Sequence, residues 1–170
     1  ATRLLAELGA DVIKVELAPG GDPSRILPVG RDGRSGYYVQ QNRGKRSLAV
    51  DFARPEALEL VRELADHCDV VVENFTPGAM AAWGLGYDVL RARNPGLIML
   101  STCLNGATGP QATLAGYGTM GAALAGFHDL TGWRDRPPAG PFLAYTDYVA
   151  PKFAAASILA ALDHRARTGQ

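Results

Sequence analysis

Asp147 stands just ahead of a run rich in alanine and leucine, Pro151 to His164. A carboxylate in that place is first a helix cap, held by free backbone N–H groups and the positive end of the helix dipole. The same surroundings favour the charged form that a nucleophilic aspartate needs, so cap and nucleophile are compatible roles. Three further clusters bear on chemistry. Asn42-Arg-Gly-Lys-Arg46 puts three cations into four residues, a pattern that suits phosphate oxygens and equally suits a solvated basic turn. Glu73-Asn-Phe75 follows a valine run and precedes Pro77-Gly78. Asn74 can bond a polar ligand there, and Phe75 can face an aromatic ring or an apolar chain. Pro19-Gly-Gly-Asp-Pro-Ser-Arg25 is glycine-rich, but it is neither a dinucleotide fingerprint nor a Walker A loop, and a flexible turn explains it. No G-x-S-x-G elbow occurs, and Cys103, at the end of a predicted strand, reads as packing.

The elements that must position these residues follow from hydrophobic pattern. Ala1 to Gly9 reads as an amphipathic helix with Leu4, Leu5 and Leu8 on one face and Gly9 closing it. Asp11–Glu16 and Ser47–Asp51 read as strands, and Pro55–Ala65 as a helix with its stripe on Leu58, Val61, Leu64 and Ala65. Asp69–Glu73 is a nearly continuous apolar run, which predicts a strand buried on both faces. Tyr87–Arg93 is helical, and Leu97–Ser101 is another strand. Strands alternating with helices predict an α/β fold, Rossmann-like in the loose sense, with a mostly parallel sheet and flanking helices. In such sheets ligands bind outside the carboxyl ends of the strands, where Glu73-Asn-Phe75 falls. Two long connections, residues 17–46 and 104–146, are rich in Gly and Pro, and the small-residue stretch Tyr117–Phe127 inside the second suits a closely packed helix. The last helix runs from Tyr148 or Pro151 to His164.

Composition narrows the class. Of 170 residues, seventeen Lys plus Arg balance seventeen Asp plus Glu, which argues against a protein held to nucleic acid by its overall field. No run of eighteen apolar residues occurs, so no membrane span is expected. Cys68 and Cys103 lie far apart, as do His67, His128 and His164, so neither a disulfide scaffold nor a metal site can be written. With no signal-peptide pattern, the expectation is a cytoplasmic protein. Both ends read as cut: the chain opens inside a helix and stops at a turn.

Taken in order, Leu8-Gly-Ala-Asp-Val-Ile-Lys-Val-Glu16, Gly21-Asp22 with Arg25, Asn42 to Asp51, Asp69 to Gly78, Leu85-Gly-Tyr87, Asn94-Pro95 and Leu97-Ile98 resemble the class III CoA-transferase family (CaiB/BaiF type). That family includes formyl-CoA and carnitine CoA-transferases and 2-methylacyl-CoA racemases. Each motif alone is weak, whereas the ordered set, which spans the whole chain, is specific. The resemblance implies that residues 1–170 are a piece of the large Rossmann-like domain, truncated at both ends, within an interlocked homodimer. It implies an acyl-CoA and a carboxylic acid as substrates, with no tightly bound cofactor. Leu159-Ala-Ala-Leu-Asp-His-Arg-Ala-Arg-Thr-Gly169 resembles the pattern that follows the family's catalytic aspartate, which makes Asp147 the implied nucleophile. Coenzyme A is then expected along Ala49, Val50, Glu73, Asn74 and Phe75, with Arg25, Lys45 and Arg46, beside Arg43, for its phosphates.

Departures from the family matter. The racemase branch carries a histidine in a Gly-His-Asp segment, and the matching stretch here is Gly116-Tyr-Gly-Thr119, one base short for proton shuttling. Leu17, Ala53 and Ala82 stand where some members carry basic residues that assist CoA. The expectation is therefore an acyl-CoA:carboxylate CoA-transferase. An acyl-CoA racemase or isomerase on the same scaffold, or a non-catalytic CoA-binding half of a longer protein, are the alternatives.

Overall fold

The computed structural model describes residues 1–27, 30 and 33–170; Pro28, Val29, Arg31 and Asp32, in the first long connection, lie outside the described residues. Two compact units divide the chain, Ala1–His67 and Cys68–Gln170.

In the first unit, helix α1 (Thr2–Glu7) ends at Leu8, and Gly9 takes the left-handed conformation that turns the chain into strand β1 (Val12–Leu17). A 3₁₀ turn (Pro23–Ile26) and helix α2 (Gly36–Asn42) lead to strand β2 (Lys45–Val50). The strands pair in parallel from Val12↔Lys45 to Leu17↔Val50. Residues paired in a parallel ladder share a face, and alternate residues change face. One face therefore carries Val12, Lys14, Glu16, Lys45, Ser47 and Ala49, and the other Ile13, Val15, Leu17, Arg46, Leu48 and Val50. Helix α3 (Pro55–Asp66) starts on a proline, whose missing N–H costs nothing in the first turn, and buries Ala65. Sequence pattern predicts α3 within one residue. It misses α2, which falls within a connection read as loop.

In the second unit, strand β3 (Val70–Glu73) pairs in parallel with β4 (Ile98–Ser101), from Val70↔Ile98 to Glu73↔Ser101. Helices α4 (Ala79–Ala82) and α5 (Tyr87–Arg93) form the crossover. Leu85, Leu90 and Leu97 in this segment are almost fully buried. Helices α6 (Gly118–Leu124), α7 (Phe127–Leu130) and α8 (Tyr145–Thr168) follow. Ala155 and Ile158 of α8 and Ala122 of α6 are buried. The fold is thus α/β with small parallel sheets and helices. Where the sequence suggests one mostly parallel sheet, the ladders among the described residues form two separate pairs. For the same reason β3 is half-buried along its length instead of buried on both faces, because a two-stranded ladder leaves one edge of each strand without a neighbouring strand. Among the described residues, no helix is long and apolar enough to cross a membrane.

Candidate active site

Asp147 is the third residue of α8, inside the helix and not ahead of it as its sequence position suggests. The helix begins at Tyr145, and its N-cap, Ala144, offers no side-chain hydrogen bond. Pro151 lies within the helix and has no N–H to give the Asp147 carbonyl, the bond that the next turn would otherwise supply. The turn carrying Asp147 is instead fastened to α6. Thr146 Oγ1 donates to the Gly118 carbonyl at 3.1 Å. Gly118, buried at the start of α6, is so close that a Cβ there would lie 2.7 Å from the Asp147 nitrogen, 2.7 Å from the Ala144 oxygen and 2.8 Å from the Asp147 Cγ. The Asp147 side chain is exposed, at the positive end of a helix of 24 residues.

The direction of α8 shows toward which edge of the β3–β4 ladder Asp147 lies. Arg165 donates to the Gly96 carbonyl at 2.6 Å and to Asp69 Oδ1 at 2.5 Å, so the last turns of α8 are fixed where both strands begin. Leu104, just past β4, packs against Gly116 and Gly121 of the α6 segment, and a Cβ on Gly121 would reach Thr146 Oγ1 at 2.7 Å. The first turn of α8 is thereby held on the side of the strands' carboxyl ends, about 27 Å of helix away from Arg165.

At that edge, the Phe75 N–H donates to Glu73 Oε2 at 2.8 Å, closing a tight turn. The Phe75 ring meets Trp83 edge to face at 5.0 Å and remains 38% exposed, able to take a planar or apolar group. A groove of about 700 Å³ runs past Glu73, Phe75, Met80, Tyr87, Met99 and His164. Neither Asn74 nor Asp147 lines it; α8 borders it through Ala161, His164 and Arg165. Asn74 is exposed.

The remaining candidate residues belong to the first unit. Arg25 forks onto Glu16, Nε to Oε2 at 2.9 Å and Nη2 to Oε1 at 3.0 Å, and stacks 4.0 Å from the centre of the Tyr38 ring. The Tyr38 hydroxyl donates to Glu16 Oε1 at 2.6 Å, and the Asp22 N–H to Oε2 at 2.9 Å. Lys14 pairs with Asp22. Glu16 is buried, and its carboxyl is held down at about 2, chiefly by Arg25, then by Tyr38, the Asp22 N–H and Lys14, against the opposing effect of burial. Burial, with Glu16 next to it, pushes the Tyr38 phenol up to about 12. The loop that closes this network needs glycine at residue 21, at φ +70, where a Cβ would come within 2.8 Å of Glu16 Oε2. Arg25, expected to meet phosphate, is thus committed to a buried carboxylate. A glutamate inside an apolar strand was the available signal for this network.

The basic cluster also differs from expectation. Arg43 pairs with Glu7 at 2.7 Å, and Arg46, on the opposite sheet face from Lys45, pairs with Asp11 at 2.9 Å. Both pairs staple the α1 segment to the beginning of β2. Lys45 Nζ donates to Asn42 Oδ1 at 3.0 Å and borders a cavity of about 260 Å³ with Lys14, Tyr38 and Ser47. Burial first, then the nearby Lys14 charge, lowers its pKa. Lys45 opens β2, whereas Ala49 and Val50 close it, roughly 16 Å further along at strand rise. The cations and the carboxyl-edge residues therefore sit at opposite ends of one strand. The candidate set is divided, with Arg25, Lys45, Arg46, Ala49 and Val50 in the first unit and Glu73, Asn74, Phe75 and Asp147 in the second.

Comparison with known proteins gives a consistent result. The profile of CoA-transferase family III matches residues 1–170. Succinyl-CoA–D-citramalate CoA-transferase of Chloroflexus aurantiacus is 44% identical over 169 residues, covering 99% of this chain and 42% of the relative. Succinyl-CoA:glutarate CoA-transferase of Mus musculus is 40% identical over 171 residues, covering 100% of this chain and 39% of the relative. The crystal structure of a CAIB/BAIF family protein from Brucella suis matches with a TM-score of 0.92 at 44% identity, covering 98% of this chain and 45% of that one. The chain spans less than half the length of these relatives.

Proposed function

The chain belongs to CoA-transferase family III, and from that premise we propose that the protein carrying it is an acyl-CoA:carboxylate CoA-transferase with Asp147 as nucleophile. The Asp147 carboxylate attacks the thioester carbonyl; the C–S bond breaks, CoA thiolate leaves, and an aspartyl–acyl anhydride forms. The incoming carboxylate attacks the aspartyl carbonyl of that anhydride and releases the first acid. The thiolate then attacks the new acyl carbonyl, which returns Asp147 as a free carboxylate and leaves CoA on the second acid. Two weakly reactive partners thereby exchange through activated acyl groups. The relatives named for succinyl-CoA with D-citramalate or glutarate suggest succinyl-CoA as donor and a dicarboxylate as acceptor.

The observation that carries this reading is the Asp147 carboxylate, exposed in the first turn of α8 on the carboxyl-end side of β3 and β4. In the second unit, coenzyme A runs along Glu73, Asn74 and Phe75. Lys45 is the better phosphate partner among the three nominated cations, because Arg25 and Arg46 already hold carboxylates. Tyr117, where the racemase branch has histidine, leaves proton abstraction without its second base. In the whole protein we place the chain within a Rossmann-like large domain of an interlocked homodimer. The test uses the full-length protein. During turnover, hydroxylamine traps the acyl-enzyme, and mass spectrometry locates the adduct on Asp147. Asp147→Ala abolishes CoA exchange and retains CoA binding; unchanged exchange removes the nucleophile, and deuterium entry at the substrate α-carbon replaces the reading with a racemase.

A further inference from the structure

The turn bearing Asp147 lacks two of the usual means of holding a helix start: a side-chain cap at Ala144 and an N–H at residue 151. Local backbone bonds run from the Tyr145 and Asp147 N–H groups to the Leu143 and Ala144 carbonyls, and the rest of its support comes from α6. Thr146 Oγ1 bonds the Gly118 carbonyl, and the bare Cα faces of Gly118 and Gly121 let α6 approach until a Cβ at either position would overlap Asp147 or Thr146. At Gly118 two of the three atoms that a methyl would strike, the Ala144 oxygen and the Asp147 nitrogen, are backbone. A rotamer change cannot relieve that collision; the α6 backbone or the first turn of α8 has to shift.

We infer that Thr146 and Gly118 are positioning residues that fix the reach and angle of the Asp147 carboxylate toward its acyl carbon. This rests on the assignment of Asp147 as nucleophile. Gly118 acts through the space it leaves empty. Thr146 acts as the tether that keeps α6 and α8 in register at that space. A nucleophile held this way reacts from one geometry, and displacement by about 1 Å costs on the order of a hundredfold in rate.

The experiment is a variant series in the full-length protein, with Asp147→Asn as reference, reading kcat, the KM for acyl-CoA and the rate of hydroxylamine-trapped acyl-enzyme formation. Thr146→Val, which keeps shape and removes the donor, lowers kcat and the trapping rate about tenfold and leaves KM within about twofold. Thr146→Ser, which keeps the donor, restores kcat to within about threefold. Gly118→Ala lowers kcat by about a hundredfold. Wild-type kcat in Thr146→Val, or equal losses in Thr146→Val and Thr146→Ser, overturns the inference even if Gly118→Ala fails to fold. Loss of exchange in Asp147→Asn with no effect at Thr146 removes the inference alone, whereas exchange retained in Asp147→Asn removes the nucleophile itself.

Discussion

The two units reach definition by opposite means. The first is organised around a charge: Glu16, buried on one face of β1–β2, gathers Arg25, Tyr38, the Asp22 N–H and Lys14 and so shapes the loop after the strand. The second is organised around missing atoms: Gly118 admits a backbone-to-backbone approach, and Gly121 a close approach of the Thr146 side chain, beside a carboxylate at the head of a long helix. A charge network ties geometry to protonation, and a glycine contact ties it to volume. The first unit should therefore respond to pH and the second to a single methyl group.

The largest effect expected is on the first unit. Glu16→Ala removes the shared acceptor of Arg25, Tyr38 and the Asp22 N–H, and although Arg25 is 43% exposed, each hydrogen bond lost to the buried carboxylate costs about 1.5–3 kcal/mol. Hydrogen exchange on peptides from Val12 to Val50 should rise sharply, with peptides from Val70 to Ser101 little changed. Equal deprotection of both would dissolve the contrast drawn here.

Acid should follow the same line with a slightly smaller effect. The folded carboxyl of Glu16 titrates near 2 against 4.5 for the free group, so its stabilisation is complete above 4.5 and is lost as pH falls toward 2. The difference corresponds to about 3 kcal/mol. Tyr38, raised from 10.0 to about 12, gives the opposite limb: its contribution is full below 10 and declines as pH rises toward 12. Denaturant midpoints of wild type and Glu16→Gln, measured between pH 2 and 7, should converge at the acid end. Parallel curves would mean that Glu16 does not set the acid limb.

What could be read from residue order divides along the same boundary. The four strands among the described residues and the helix α3 are legible, because apolar period and caps act locally: Pro55 starts α3, and Gly9 closes the turn after α1. Helix α2 is not. Gly36-Tyr-Tyr-Val-Gln-Gln-Asn42 has no apolar stripe, and it is held by the Ser35 hydroxyl accepting from the Tyr38 N–H and by the remote bond from Tyr38 to Glu16. The start of α8 was misjudged because Pro151 looks like a first-turn proline. The helix extends past it to Tyr145, and Thr146 in that added turn is bonded to α6. In the candidate site, Asp147 is nominated by the pattern around it. The pairing of Arg25, Arg43 and Arg46 is not legible, since their carboxylates are separated from them by 9, 36 and 35 residues.

A single methyl group tests the second unit. Gly121→Ala puts a carbon 2.7 Å from Thr146 Oγ1 and 3.0 Å from Leu104 Cδ1. Both are side-chain atoms, so the strain is partly relieved, and overpacking of this size costs about 1–3 kcal/mol. Thermal unfolding measured at pH 3 and pH 7 separates the two mechanisms: the cost should be the same at both, because no charge is involved. A cost that changes with pH would show that volume and charge are not segregated between the units.

The smallest effect expected marks where the charge logic of the first unit ends. Arg46 and Asp11 are both about two-thirds exposed, on the face opposite Glu16, and their 2.9 Å pair is open to water and salt. Such pairs contribute about 0–1 kcal/mol, so Arg46→Ala should shift stability by no more than that, and less again in 0.5 M salt at a Debye length of roughly 4 Å. CoA affinity measured calorimetrically in the same variant should stay within about twofold of wild type, since the guanidinium is engaged by Asp11 on the sheet face opposite Lys45, the proposed phosphate partner. A tenfold loss of affinity would put a CoA phosphate on the Arg46 face of the strand, and Arg46 would then be a binding residue more than a staple for the α1 segment.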